Sequence, residues 1–355
     1  MASGTLYSLL PRVRLEKGST EKGGGGSMRG MKEKKDRGER AGGKREGVLQ
    51  VLHGSVREVY RDDWIWVLDK PAGVLSQPNQ PTRKASNALL KGEFDFEDES
   101  YRTEVPGEGE RRVWLLHRLD LDTSGLIVCA FDPEAAAIFK QALHEREIEK
   151  AYKALLLSAP KPPFGRWSDC LARSARGGRV DVRVRSGRKV NAETSYELER
   201  TFPGTGLSLV RLMPHTGRTH QLRVQAAWHG VPVIGDQRYG DFEANKFLAE
   251  KIGLKHMFLH AWGLAFRHPI TGHRLSFTQE LSQRLKLPLD RLENLGTKIP
   301  RRERPAADAN KGYRGKRRRG KEKGRDQERE RGRGRGRGVR GANRGRGNKK
   351  KKRKK

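Results

Sequence analysis

The chain has 355 residues and a formal net charge of +33. The excess sits at the ends: residues 301–355 hold 27 Lys/Arg against 6 Asp/Glu and residues 1–46 hold 12 against 6, which leaves 47–300 as an ordinary, mildly basic globular stretch. Two cysteines, Cys129 and Cys170, exclude a disulfide framework and a four-cysteine zinc site, and no apolar run approaches the roughly 18 residues of a membrane span, so a chain in a reducing compartment is expected, with no membrane partner.

The opening "MASGTLYSLLPRVRLEKGST" has too short an apolar stretch for a secretory signal, and a weak organelle transit peptide is the alternative reading. Residues 17–46 are Gly, Lys and Glu with almost nothing to bury, so 1–47 is expected to be a disordered basic segment. "WIWVLDK" (64–70) reads as a strand ending in the turn "PAGV". "SNALLKG" (86–92) begins like a capped helix. The acidic, Gly/Pro-punctuated 93–110 reads as a surface loop, and "GLIVCAF" (125–131) as a fully buried strand. In 132–149 the spacing predicts a helix, with Asp132 as N-cap and Pro133 in the first turn.

"KAYKALLLS" (150–158) is a strand. Residues 179–202 alternate like a β-hairpin turning near Ser186–Gly187. "GLSLVRLMP" (206–214) is another strand, and 218–230 is a helix stopped by Gly230 and Pro232. Stretches 256–269 and 273–281 complete the β content. The tail over 299–355, with its run "RGRGRGRG", is expected to be disordered and to meet a polyanion, since each arginine can reach a phosphate or stack on a base.

Three stretches carry candidate chemistry. In "LHRLDLDTSGLIVCA" (116–130) Asp120 stands at the mouth of a buried strand, where a carboxylate can be held rigidly, and Arg118 points to the same side of an extended chain. Tyr152 lies between Lys150 and Lys153, an aromatic ring among cations that suits a stacked base beside phosphates. In "HTGRTHQLRVQAAWHGVPVIGDQRYG" (215–240) Arg218, His220 and Arg223 crowd the start of a helix. Cations there oppose the helix dipole, which is unfavourable unless an anion sits among them.

Taken together, "DDWIWVLDKPAGVLSQP", "HRLDLDTSGLIVCA", "TGRTHQLRVQAAWHGVPVIGDQRYG" and "HMFLHAWGLAFRHPITGHRLSF" resemble, in order, the motifs of the RluA class of pseudouridine synthases over about residues 58–282. The resemblance implies an α+β fold over 48–298: a mixed, mostly antiparallel sheet with flanking helices and a central RNA-binding cleft. It implies isomerisation of specific uridines in structured RNA, ribosomal or transfer, to pseudouridine. Asp120 corresponds to the family's catalytic aspartate, Tyr152 to its active-site tyrosine and Arg223 to the arginine that pairs with the aspartate. Arg118 corresponds to an arginine that holds the flipped nucleotide or fills its gap. His117, Thr123, Arg218 and His220 are expected on the substrate, the histidines as hydrogen-bonders rather than acids or bases. Asp236 is expected to be structural. Gln225 stands where many members carry His.

The reaction is redox-neutral, and the chain shows no GxxxxGK[ST], strand-borne GxGxxG or HExxH, so no cofactor and no metal are expected. A monomer is expected, in the cytoplasm, with nucleus, nucleolus or an organelle open to a eukaryotic host. The competing reading is a non-catalytic RNA-binding or ribosome-assembly factor that works through the same fold and the basic tail.

Overall fold

The computed structural model describes residues 52–79, 87–105, 109–176, 179–268 and 270–301. The expected disordered segment 1–47, and all but the first three residues of the expected tail over 299–355, lie outside them.

The apolar run at 64–70 becomes β2 (Ile65–Lys70), buried on both faces and paired with β1 (Arg57–Arg61) and with β6 (Ser124–Ala130). Successive side chains of a strand point to opposite faces. Trp66, Leu68, Ile127 and Cys129 therefore enter one cluster with Leu89, Tyr101 and Val113, while Ile65, Val67, Leu126 and Val128 enter another with Phe139 and Phe277. Each such burial contributes about 1.5–3 kcal/mol before entropy is set against it. The helix expected after β6 is α1 (Pro133–His144); Asp132 caps it by accepting the N–H of Ala135 at 2.9 Å.

The acidic stretch is not a loop. It folds as β3 (Glu93–Asp95), β4 (Ser100–Val105) and β5 (Gly109–Leu115), an antiparallel meander running onto β6. Glu93, Arg102, Glu110 and Arg112 face out and hide the alternation by which Tyr101, Thr103, Val113 and Leu115 face in. The helix expected at 86–92 is also absent. Ala88 and Leu90 form isolated bridges with Leu75 and Leu52, and the three consecutive apolar residues Ala88, Leu89 and Leu90 are all buried in extended chain.

The second part of the sheet holds β7 (Glu149–Leu156), β8 (Phe164–Asp169), β11 (Ala192–Thr201), β12 (Ser208–Pro214), β13 (Leu259–Arg267) and β14 (Arg274–Thr278). The full order is β3-β4-β5-β6-β13-β7-β12-β11-β8, with β2 also on β6, β1 on β2 and β14 on β13. Among the named strands of the described residues only β6 and β13 pair in parallel, and the other strand pairings are antiparallel. The hairpin expected over 179–202 turns where predicted but pairs otherwise. β10 (Arg179–Val184) folds back on β9 (Leu171–Arg176) as a separate two-stranded arm, and β11 joins β8 and β12. Three further helices are α2 (Gln221–Trp228), α3 (Phe242–Lys251) and α4 (Gln283–Leu292). The sequence reading had placed no element on α3 or α4. Among the described residues no helix is long and apolar enough to cross a membrane.

Candidate active site

Asp120 sits in the turn before β6, where the N–H of Thr123 donates to Asp120 O at 3.1 Å. The preceding backbone is gripped from behind. Ser76 Oγ donates to Leu119 O at 2.9 Å and accepts the N–H of Leu119 at 3.0 Å, while Gly73 N–H donates to Leu121 O at 2.8 Å. Gly73 has φ +88, a left-handed value that glycine adopts without steric cost, and this lets "PAGV" wrap around the loop.

Lys70, at the end of β2, is wholly buried. Its Nζ donates to Val74 O at 2.7 Å, Pro71 O at 3.1 Å and Leu121 O at 3.2 Å. Burial pushes its pKa down to about 8, against the pull of the Asp120, Asp122 and Asp69 carboxylates. The chain thus sets a cation directly behind the Asp120 turn.

Arg223, in the first turn of α2, faces two carboxylates. Its Nη1 donates to Asp120 Oδ2 at 2.8 Å, its Nε to Asp236 Oδ2 at 2.7 Å and its Nη2 to Asp236 Oδ1 at 3.0 Å. The anion demanded by cations at this helix start is therefore carboxylate from two turns. Burial works against the guanidinium's charge, but the hydrogen bonds and charges of Asp236 and then Asp120 overcome it and raise Arg223's pKa. Asp236 has no exposed side-chain surface. Burial alone would raise its pKa; the Arg223 hydrogen bond and charge, with the N–H groups of Tyr239 and Arg238, hold it below the usual carboxylate range. The Tyr239 ring lies 5.2 Å below the Arg223 guanidinium carbon and closes that side.

Tyr152 on β7 is half-buried and packs between two core clusters. Burial, and then the Asp120 charge, push its phenol well above the ordinary tyrosine value. The side chain is held as a neutral phenol, so the hydroxyl does not stand ready as a phenolate base.

The other candidates separate. Arg118 is exposed beside Asp120. His220, in the left-handed region at φ +54, bonds Tyr239 Oη through Nδ1 at 2.9 Å, and burial lowers its pKa. Arg218 is exposed, with Nε donating to Asn191 O at 3.1 Å. Thr123, expected on substrate, is instead buried, and its backbone closes the Asp120 turn. His117 accepts the N–H of Val128 at 3.1 Å through Nε2, and burial, then Lys150, push its pKa down to about 3. It supports β6 as a neutral ring and is not brought to Asp120 by any described bond. Gln225 is buried and donates to Asp169 Oδ2 at 2.7 Å while accepting from Thr194 Oγ1 at 2.7 Å, a network behind α2.

The sequence reading missed Lys70 and Ser76 and gave Asp236 no link to Arg223. One signal was present: Asp69 and Lys70 close a strand whose first four residues, Ile65–Leu68, are apolar, which marks charges in need of a purpose. Among the described residues no group of three or more His, Cys, Asp or Glu is placed to hold a metal.

A carboxylate in a partly open turn, fixed by a buried arginine and faced by a neutral tyrosine, is a site for a nucleophilic or electrostatic carboxylate rather than for hydrolysis by a serine or a metal. Residues 64–228 match the sequence profile of RNA pseudouridylate synthase. The ribosomal large subunit pseudouridine synthase C of Escherichia coli strain K12 is 33% identical over 245 residues, covering 66% of this chain and 70% of that one. The chain belongs to the RNA pseudouridylate synthase family. It is an isomerase that converts uridine in RNA to pseudouridine. A tRNA pseudouridine synthase C from Pasteurella multocida is 29% identical over 235 residues, covering 63% of this chain and 91% of its own. The solved human RNA pseudouridylate synthase domain containing 4 is 22% identical, with a TM-score of 0.49 over 70% of this chain and 95% of that one. The family match and the 33% identical synthase favour catalysis over the non-catalytic assembly-factor reading.

Proposed function

We propose that this synthase isomerises one or more uridines of structured ribosomal or transfer RNA, with Asp120 as its catalytic carboxylate. The observation that carries the reading is Arg223: two of its nitrogens are committed to buried Asp236, and the remaining one reaches Asp120. The relatives' names supply the two RNA classes, ribosomal large subunit for one and transfer RNA for the other.

The reaction breaks the ribose C1′–N1 bond, turns the uracil and rejoins it through C5; the C5 proton leaves and N1 gains one. Nothing is oxidised and no water is consumed. Asp120 engages the ribose or the ring, and Arg223 keeps its oxygen in place. The target base must leave its stack, which costs a few kcal/mol. Stacking on the Tyr152 ring returns about 1–3 kcal/mol, and Arg118 occupies or guards the vacated gap. Tyr152, as a neutral phenol, donates a hydrogen bond to the base, and reaches the C5 proton only if the reacting site first takes its own.

Phosphates flanking the target meet exposed cations. Arg173 and Arg183, on opposite faces of the β9–β10 arm, and Arg185, Arg188 and Lys189 beyond it are exposed and make the arm a basic ledge, with Arg183 also paired to Asp181. The arm packs on α2 through Val182 against Val224 and Tyr239, which places the ledge next to the Arg223 site. In this reading residues 48–298 are the catalytic domain, the tail adds RNA affinity, and the enzyme acts as a cytoplasmic monomer.

The test is twofold. Carbodiimide mapping of pseudouridine in ribosomal and transfer RNA, with and without the gene, identifies the target. Purified full-length protein should then release tritium from C5-labelled uridine in that RNA, in EDTA and without ATP. A strict requirement for ATP or metal on correctly folded RNA contradicts the reading. Deleting Gly312–Lys355 should lower the slope of log affinity against log salt by about 0.7–0.9 per lost phosphate contact, with the single-turnover rate nearly unchanged.

A further inference from the structure

Asp120 and Tyr152 belong to different halves of the sheet. Among the described residues one strand pairing joins the halves: β6 and β13 run parallel over two residue pairs, Ser124 with His260 and Gly125 with Ala261. The same two β13 residues pair on their other side with β7, His260 with Lys153 and Ala261 with Tyr152. A single cross-strand row, Gly125–Ala261–Tyr152, therefore runs from just past the Asp120 turn to the active-site ring.

The row is built for close approach. Gly125 has φ +108, and a Cβ there would lie 2.2 Å from Ala261 O, so only glycine admits the contact. Parallel pairing is slightly weaker per residue than antiparallel pairing, and two pairs supply few ladder bonds. A side-chain bond reinforces them. Ser124 Oγ lies 2.9 Å from His260 Nδ1, and both residues are buried. His260 Nε2 lies 2.9 Å from Gln279 O, just past β14. A carbonyl can only accept, so Nε2 carries the ring proton and Nδ1 accepts from the Ser124 hydroxyl. Burial lowers the His260 pKa, which favours this neutral form.

We propose that the buried Ser124–His260 bond positions the Asp120 turn against the Tyr152 strand for the isomerisation, so that Ser124 and His260 are positioning residues of the reaction. The proposal rests on Asp120 and Tyr152 being the groups that face the substrate. Without the bond the two-pair seam can slip by a fraction of an ångström. Misplacement of about 1 Å between reacting groups costs on the order of 10²-fold in rate.

Three substitutions in the full chain test this, with Asp120→Asn beside them. Ser124→Ala removes the donor. His260→Gln keeps an amide N–H for Gln279 O but removes the acceptor for Ser124. His260→Asn does the reverse, since its side-chain oxygen lies near the position of Nδ1. Single-turnover tritium release, RNA affinity and urea unfolding are measured for each. Ser124→Ala and His260→Gln should lose about tenfold in rate with RNA affinity within about twofold of wild type, while His260→Asn keeps at least about half the rate whatever its stability. A Ser124→Ala rate within about twofold of wild type overturns the proposal, as do rates that simply follow the unfolding midpoints. If Asp120→Asn is inactive and Ser124→Ala is normal, only the positioning role fails. If Asp120→Asn stays active, the site reading fails and the proposal falls with it.

Discussion

Two turns offer a carboxylate to the same guanidinium, and they differ in everything else. In the turn after α2, Asp236 has no exposed side-chain surface and uses both oxygens: on Arg223 Nε and Nη2, and on the N–H groups of Arg238 and Tyr239. In the turn before β6, Asp120 keeps 26% of its side-chain surface exposed and takes one side-chain hydrogen bond from a described residue, Arg223 Nη1. A carboxylate whose acceptor positions are filled orients its partner. A carboxylate with acceptor positions open can meet a substrate. The arginine between them turns the first property into the second, because the buried side fixes the direction of the nitrogen that reaches the open side.

Breaking the closed side should do the most damage to stability. Asp236→Asn leaves the buried guanidinium short of a charge, and loss of one partner from a buried pair costs about 3–5 kcal/mol. Urea unfolding checks it; a loss under about 1 kcal/mol would show that Asp236 does not hold Arg223. Arg223→Lys keeps a positive charge but replaces a planar fork by a point donor, which cannot hold two carboxylates in fixed directions. The single-turnover rate should fall by about 10²-fold with RNA affinity little changed. Equal losses in rate and affinity would mean that Arg223 serves binding instead.

The cation behind the open side gives a smaller, pH-dependent effect. Lys70 titrates near 8 in the fold against its ordinary 10.5. The native state sheds its proton first, so the stability contribution is full above 10.5 and is lost as pH falls through 8. Wild type should therefore gain stability relative to Lys70→Met as pH rises from about 8 towards 10.5. A pH-independent difference would show that the ammonium is not buried.

His117 has the same sign in acid. Its ring resists protonation down to about 3 against an ordinary 6.5, so its contribution is full above 6.5 and is lost as pH falls towards 3. His117→Asn, which keeps an acceptor for the Val128 N–H, should make the acid loss of stability shallower across that window. An unaltered acid limb would place the His117 ring in solvent.

Much of this arrangement was legible in the sequence, for identifiable reasons. β2 and β6 read as strands because both faces are buried, which gives continuous apolar runs such as "GLIVCA". α1 announced itself through Asp132 and Pro133. The acidic meander was misread because Glu93, Arg102, Glu110 and Arg112 belong to outward faces and mask the inward residues. Residues 86–92 were misread because a short apolar run has no periodicity of its own, and isolated bridges to Leu75 and Leu52 decide its shape. The β9–β10 arm shows the limit of a turn signal: Gly187 does turn, at φ +73, but a turn does not say which strand comes back beside it. In the site, the Asp120–Arg223 pair was expected through the family's motifs. The Lys70 grip reaches Leu121, 51 residues along the chain, and the Asp236 clamp, though 13 residues from Arg223 in the same motif, depends on how the turn after α2 folds back on it, which no periodicity records.

Asp120→Asn, which is nearly isosteric and removes the charge and one acceptor, tests the role of this carboxylate most directly. Tritium release from C5-labelled uridine RNA should fall by about 10³-fold or more, with RNA affinity and the urea midpoint close to those of wild type. Release within about tenfold of wild type, by folded protein that binds RNA normally, would contradict the assignment of Asp120 as the catalytic carboxylate.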